Sequence, residues 1–436
     1  MASVVIVGAG LAGLSTAVAM APHGYDITIL EARSRLGGRA SSFYDPGSTE
    51  WVDTCQHVSM GCCTSFHDFC KTIGVLPLLE PQQTLFFQTT DRRISRFKAD
   101  PWPAPFHLAR ALVLAHYLTM GEKLRVAYGV LRLVTEKKDR DEPLLPWLKK
   151  HGQTERTIRR FWAVVLVSAL NDTVDHLGTK YARKVFVDGF LKDRHGFTVH
   201  VPTVPLARLY GEEIRAWFRK WNVTIREDCA VRSVELPENQ FRLALRSGTE
   251  LLADRVVLAV PFDRVKALLP DEWANRPEFA NIGKLSPSPI TSVHVWTDRE
   301  VMTRPHVVVV DGLGHWIFNR GRIGSGEWYL QVVISATREL ATWGREQITE
   351  AVLAELHRLL PELAQAKVLR SRVITEHKAT FSAVPGVDEL RPTQSTSIPG
   401  LFLAGDYTQT GWPATMEGAV RSGQLADGAI RAVANP

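Results

Sequence analysis

At 436 residues, 45% hydrophobic and 22% charged, the chain has the balance of a globular protein with core enough for two or three domains. A formal charge of +6 is too mild for the concentrated basic stripe of a nucleic-acid binder; it suits anionic lipid headgroups, or stands as a basic excess with no partner. Residues 4–21 are apolar, but no Lys or Arg precedes them and no other long apolar run exists, so neither a targeting segment nor a spanning helix is expected.

The chain opens on Val4-Val5-Ile6-Val7, a short β-branched run that reads as a buried parallel strand. Gly8-Ala9-Gly10-Leu11-Ala12-Gly13 then leads into small residues at helical spacing. Gly8 allows the turn, Gly10 admits a pyrophosphate to the backbone, and Gly13 lets the helix press on the strand. The phosphates would lie at the helix start over Leu11 and Ala12, where free N–H groups and the macrodipole favour anions. Asp26 to Leu30 reads as the second strand, ending at Glu31, a carboxylate at the offset that bonds a ribose hydroxyl. The continuation Glu31-Ala32-Arg33 and Leu36-Gly37-Gly38-Arg39 resembles the first motif of the flavoprotein superfamily that includes flavin amine oxidases and carotenoid desaturases. The resemblance implies FAD rather than NAD, contacts from Ala32, Arg33, Gly37 and Gly38, and Arg39 bracing the pyrophosphate.

Phe43 to Gly61 is loop-like and carries Asp53, Cys55 and His57; a helix is expected from Thr64 to Ile73. The five cysteines (Cys55, Cys62, Cys63, Cys70 and Cys229) lack zinc spacing, so no metal is expected, and their odd number points to a reducing, cytoplasmic setting. Leu85 to Phe97 alternates like a hairpin with Asp91-Arg92 near its turn. Three prolines introduce Phe106 to Leu118, which reads as one apolar helix, and a second helix covers Glu122 to Val134. Further helices are expected over Arg156–Asn171, Thr179–Leu191 and Leu206–Lys220. Strands follow at Val223–Ile225, Ala230–Leu236, Phe241–Arg246 and Asp254–Pro261. Ile290–Trp296, Val307–Asp311, Trp316–Asn319 and Trp328–Ser335 suggest an antiparallel sheet crossed by a helix over Arg345–Leu360. Gly321, Gly324 and Gly326 sit between two strands with no helix after them, so they make a hairpin loop and not a second dinucleotide turn.

Pro399 to Asp406 is again a buried strand, ending in Gly405-Asp406, and Thr410 to Val420 leads into a helix. In the same superfamily this element resembles the one whose Asp contacts the ribityl and pyrophosphate region. Its helix start, here Pro413, Ala414, Thr415 and Met416, faces the pyrimidine edge of the ring, where a positive helix end favours the reduced flavin. The resemblance adds Val231 to the cofactor contacts. The class is therefore α/β: a Rossmann-type FAD-binding domain over 1–62, 201–268 and 379–436, with an interleaved substrate domain over 63–200 (mostly helical) and 269–378 (mixed or antiparallel sheet plus helix).

Amine oxidases of the superfamily place a Lys near flavin N5, and His294 stands where it is expected, which counts against amine oxidation. Arg39-Ala40-Ser41-Ser42-Phe43, Val52-Asp53-Thr54-Cys55-Gln56-His57-Val58, Gly61-Cys62-Cys63-Thr64, Phe161-Trp162, Leu166-Val167-Ser168-Ala169-Leu170-Asn171 and Ala414-Thr415-Met416-Glu417-Gly418 resemble the squalene-associated FAD-dependent desaturases, assigned as hydroxysqualene dehydroxylases. That resemblance implies hydride delivery from reduced FAD to hydroxysqualene with loss of water, giving squalene for hopanoid or sterol synthesis. The departing hydroxide needs an acid. His57 or Asp53 is the candidate donor, with a loop-holding role open for His57; Cys55 shapes the pocket or is simply a small buried residue, and Asn171 orients the hydroxyl. An apolar C30 isoprenoid requires an apolar tunnel and a mouth on lipid. The apolar surface of residues 101–134 either packs inside the protein or touches a membrane; in the second case Trp102 to Leu118, flanked by Arg92, Arg93, Arg96, Lys98 and Lys123, is the expected mouth, docking peripherally on the inner face of a membrane. A reductase or NAD(P)H would reduce the FAD. A carotenoid or phytoene desaturase, an amine oxidase and a non-catalytic flavin-binding protein are the competing functions.

Overall fold

The computed structural model describes residues 2–47, 49–137 and 140–434. Strand β1 (Ser3–Val7) turns through Gly8 into helix α1 (Leu11–Met20) and returns as β2 (Asp26–Leu30). Where the sequence reads as a loop, β3 (Ser42–Asp45) and β4 (Glu50–Asp53) form a hairpin, with Tyr44 opposite Trp51 and their rings edge to face at 6.0 Å. Four residues per strand are too few for alternation to show. Helix α2 (Thr64–Thr72) follows, then the hairpin of β5 (Thr84–Thr89) and β6 (Ile94–Lys98), whose turn holds Arg92 at φ 67°.

The single helix expected over Phe106–Leu118 is not formed. A 3-10 turn over Phe106–Leu108 runs into the short α3 (Ala109–Val113), and the chain leaves helical geometry because the Ser95 hydroxyl takes the His116 N–H at 2.9 Å. Helix α4 (Met120–Thr135) begins at a capping box of Thr119 and Glu122. The long run from Glu155 contains a π turn over Ile158–Ala163 and ends as α5 (Val164–Leu170), stopped by Asn171 at φ 54°.

The later strands are β7 (Thr224–Arg226), β8 (Arg255–Leu258), β9 (Pro287–Thr297), β10 (His306–Val310), β11 (Trp316–Arg322) and β12 (Trp328–Ser335). Helix α6 (Arg345–Leu359), β13 (Val368–Phe381), β14 (Leu401–Leu403) and α7 (Met416–Ala434) complete the labelled elements. A parallel sheet of order β7-β2-β1-β8-β14 draws on three separated stretches of chain. Helix α7 packs on α1, where the Ser15 hydroxyl donates to the Val420 carbonyl at 2.9 Å. Helix α2 joins this same core through Phe66, Phe69 and Cys70, although the expected division assigns it to the substrate region. The reason is Glu417 on α7, whose buried carboxylate accepts the Ser65 and Phe66 N–H groups at the start of α2.

The second sheet has the order β13-β9-β12-β11-β10-β5-β6. It is antiparallel except where β5 pairs parallel with β10, a junction of segments some 220 residues apart that no local pattern announces. Strand alternation gives it two faces. Val293, Val295, Ile317, Leu330 and Val332 pack under α6. The opposite face carries Ser292, His294, Trp296, Tyr329 and Gln331, all buried.

Candidate functional site

Two segments from opposite ends of the chain meet at the C-terminal edge of the parallel sheet. Gly8 has φ 105°, and a Cβ there would stand 2.6 Å from the Ala259 carbonyl oxygen, so only glycine fits the turn. Gly13 lies against the Gly8 carbonyl. Gly10 bridges to Gly37, and a Cβ on Gly38 would come within 3.0 Å of the Gly10 Cα. Helix α1 starts at Leu11-Ala12 with no side-chain cap and no acid in its first turn, which leaves an N-terminus suited to an anion. Glu31 is buried and accepts the N–H groups of Ala9 (2.8 Å) and Arg33 (3.0 Å); a carboxylate retains lone pairs beyond these two for a ribose hydroxyl. Ala32 is exposed, and the Arg33 carbonyl accepts the Asp228 N–H and the Glu31 carbonyl that of Cys229, which brings Val231 to the same end.

The Arg39 guanidinium donates to Asp406 at 2.8 Å and to the Ala379 carbonyl at 2.6 Å. Burial works against its charge, but Asp406, with Glu376 and Asp263 behind it, holds the guanidinium above its ordinary range. The Gly405 N–H donates to Ser422 on α7 (2.8 Å). Pro413 is buried, Ala414 and Met416 are half-buried, and the Thr415 hydroxyl accepts the Gly418 N–H at 3.1 Å to begin α7. The hydroxyls of Ser41 and Tyr407 and Gln56 Oε1 are buried without a partner among the described residues, groups that a polar ligand would satisfy. A glycine cradle, an open helix start, a braced arginine and these orphans fit a dinucleotide spread between α1 and α7.

The strand–loop Val52 to His57 lies over the sheet face opposite α6. Arg370 and Arg372 of β13 clamp Asp45, and Arg372 stacks on Phe43 at 4.3 Å, which fixes the hairpin on that face. Asp53 accepts from Ser42 (2.7 Å) and from the Leu206 N–H (2.8 Å), so it holds the start of the helical segment that begins at Leu206; burial raises its pKa despite Arg320 and these bonds. Cys55 contacts Ser292, and burial pushes its pKa up to about 12, which keeps it a neutral thiol. His57 Nδ1 stands 2.9 Å from the Cys55 carbonyl. A carbonyl only accepts, so Nδ1 carries the proton and Nε2 keeps a lone pair. Burial lowers the His57 pKa. The ring is therefore a neutral proton acceptor at neutral pH, contrary to the expected donor role.

Asn171 has both ends of its amide engaged by the protein itself. Its Nδ2 donates to the Ser288 carbonyl (3.1 Å) and the Thr380 hydroxyl (2.9 Å), and its Oδ1 accepts the Ala336 N–H (2.8 Å). It is a latch between α5 and the large sheet. His294 is buried, bonds the Tyr329 hydroxyl through Nδ1 at 2.6 Å, and is pushed by burial down to about 3.

Two residues escaped the sequence reading. Gln331, beside His294 in the register, donates to Ser292 at 3.0 Å and has a buried Oε1 without a partner among the described residues; alternation along Trp328–Ser335 was the available signal. Arg391 is 1% exposed and donates to the carbonyls of Asp406 (3.1 Å), Tyr407 (3.4 Å) and Thr408, and to the Thr410 hydroxyl (3.1 Å). It shapes the loop that presents Asp406 to Arg39, and nothing local distinguishes it from a surface arginine.

A family described as flavin containing amine oxidoreductase matches residues 11–430. The chain is 28% identical over 469 residues to the chloroplastic/chromoplastic 15-cis-phytoene desaturase of Arabidopsis thaliana, covering 98% of this chain and 79% of that protein. It is 26% identical to the 15-cis-phytoene desaturase of Synechococcus elongatus, covering 98% and 95%. Among solved structures, cyclohexylamine oxidase from Brevibacterium oxydans IH-35A superposes with a TM-score of 0.72 at 16% identity, covering all of both chains. Putrescine oxidase bound to putrescine gives 0.74 at 14% identity over 99% of each. At these identities the structures share the fold alone.

Proposed function

The chain belongs to the flavin containing amine oxidoreductase family, with FAD as its cofactor, and we propose that it desaturates a long apolar isoprenoid of the carotenoid-precursor type. The observation that carries this reading is the likeness, over 98% of the chain, to 15-cis-phytoene desaturases from a plant and a cyanobacterium. Desaturation removes a hydride and a proton from adjacent carbons and leaves a double bond between them. When bound, FAD supplies the two-electron chemistry. The chain's own residues hold the apolar substrate on the sheet face, exclude water, and take the proton. His57, neutral with its lone pair at Nε2, is the group suited to that last task. His294, at the position where the resemblance expects an amine oxidase's lysine, bonds the Tyr329 hydroxyl instead.

A second reading, reduction of hydroxysqualene to squalene, is favoured by a different observation. Gln331 Oε1 and both ring nitrogens of His306 are buried, without partners among the described residues, on the sheet face opposite α6. A hydrocarbon leaves such groups unpaired, whereas an alcohol offers one of them a hydrogen bond. The acid for this direction would be Asp53, whose pKa burial raises.

Anaerobic mixing separates the two. Oxidised enzyme with phytoene is expected to lose its oxidised-flavin absorbance as a desaturated product forms. Chemically reduced enzyme that regains absorbance with hydroxysqualene while squalene appears would instead establish the second reading. Bleaching by primary amines alone would overturn both.

A further inference from the structure

We propose that the α3–α4 region docks this protein on an anionic lipid bilayer, with the outer stripe of α4 seated at the headgroup–acyl boundary. Among the described residues sixteen large apolar side chains are exposed, and eight of them fall between Trp102 and Leu131. Met120, Leu124, Tyr128 and Leu131 recur at intervals of four, four and three along α4, which puts them on one face; they are 49–67% exposed. The other face is apolar as well: Val126, Gly129 and Leu133 are buried, and a Cβ on Gly129 would meet Gln153 and Trp162 within 3 Å. A helix apolar on both sides belongs in a setting where its outer face also leaves water.

Charge selects the occupant. Residues 91–150 hold thirteen Lys and Arg against seven Asp and Glu, so the formal +6 of the whole chain is concentrated there and the remainder is balanced. Arg125 and Arg132 flank the stripe, and Lys149 and Lys150 end the helix Leu144–Lys150 across a groove of about 380 Å³ lined by Leu124 and Tyr128. The nearby acids are spoken for: Glu122 pairs with Arg156 and caps α4, and Asp100 lies 3.5 Å from Arg110. A second copy brought up by this face would oppose like charges, whereas anionic headgroups meet cations around an apolar centre. No helix among the described residues is long and apolar enough to span a membrane, so the contact is interfacial.

The patch also leads inward. Leu108, Ala115, Leu118 and Val126 belong to one apolar cluster with Val308 and Val310 of β10, on the sheet side away from α6. Docking stands without the isoprenoid reading; the passage of an apolar substrate through this cluster rests on it.

Flotation of the FAD-loaded full chain with phosphatidylcholine vesicles, with and without phosphatidylglycerol, tests the proposal. The protein is expected to float with the anionic vesicles, and the triple variant Leu124→Ser/Tyr128→Ser/Leu131→Ser and the triple variant Arg125→Glu/Lys149→Glu/Lys150→Glu to bind about tenfold more weakly. Flavin content and unfolding temperature report that both variants are folded. Failure to float on either vesicle, or a dimer that the Ser variant dissolves, would overturn the docking. If docking holds and the Ser variant loses turnover of vesicle-embedded substrate but keeps it in detergent, the inward passage holds as well. If no isoprenoid is turned over in either medium while flotation persists, only the functional reading fails.

Discussion

At Arg391 a guanidinium removed from water donates to three successive backbone carbonyls and one hydroxyl of the loop that carries Asp406, and through Nη1 to the Tyr181 hydroxyl and to Asp388 at 2.8 Å. Arg391→Met keeps the volume and strands those acceptors. It is expected to cost on the order of 3 kcal/mol of stability and to raise the FAD dissociation constant, read by fluorescence of released flavin and by unfolding of the holoenzyme. His57→Ala is expected to lower turnover by about 10² to 10⁴ with FAD occupancy unchanged. In the parent enzyme, activity should persist below pH 6.5 and fall only as the depressed His57 pKa is crossed, because the active form is the neutral ring. A profile that instead requires the protonated ring would restore His57 as the acid. Glu31, Gly8 and Arg39 were legible in the sequence because each acts within a motif of fixed local geometry. The direction of the His57 proton was not, since it depends on which carbonyl the ring meets.

Among the elements, α5 shows what an unremarkable sequence segment does once neighbours arrive. Asn171 ends the helix in a left-handed conformation that asparagine tolerates, and its amide then joins strands β9 and β13 to the end of β12. The next residue, Asp172, takes Arg338 and the Ser382 hydroxyl. Asn171→Ala is expected to destabilise the fold by about 2–4 kcal/mol, from unpaired buried groups and a strained φ, and to leave turnover per bound FAD near the parent value. Loss of turnover at unchanged unfolding temperature would return Asn171 to the substrate. The Phe106–Leu118 segment makes the complementary point. Its apolar residues read as one helix, but the Ser95 hydroxyl and the demands of the underlying core broke the run into a turn and α3.

Across the whole molecule, burial leaves several histidines neutral. His294 is held down to about 3, and His67, His306 and His315 to about 4. In the unfolded chain each would protonate near pH 6.5, so between roughly pH 6.5 and 4 the unfolded state binds more protons and stability falls with falling pH. Unfolding temperature is expected to be level in this respect above pH 7 and to drop steadily below 6.5. A flat profile down to pH 5 would mean that these rings are solvated in the native state. The dinucleotide turn, the two cofactor segments, the α/β class and most strands can be read from residue order, because those signals are local: φ-permissive glycines, β-branched runs and helix starts within a few residues. That β5 pairs with β10, that α2 joins the nucleotide core, that Asn171 latches and that Arg391 holds the Asp406 loop emerges only in the folded chain. Each of those depends on polar groups distant along the chain finding partners once water is excluded, and residue order does not encode such partners in any nearby pattern.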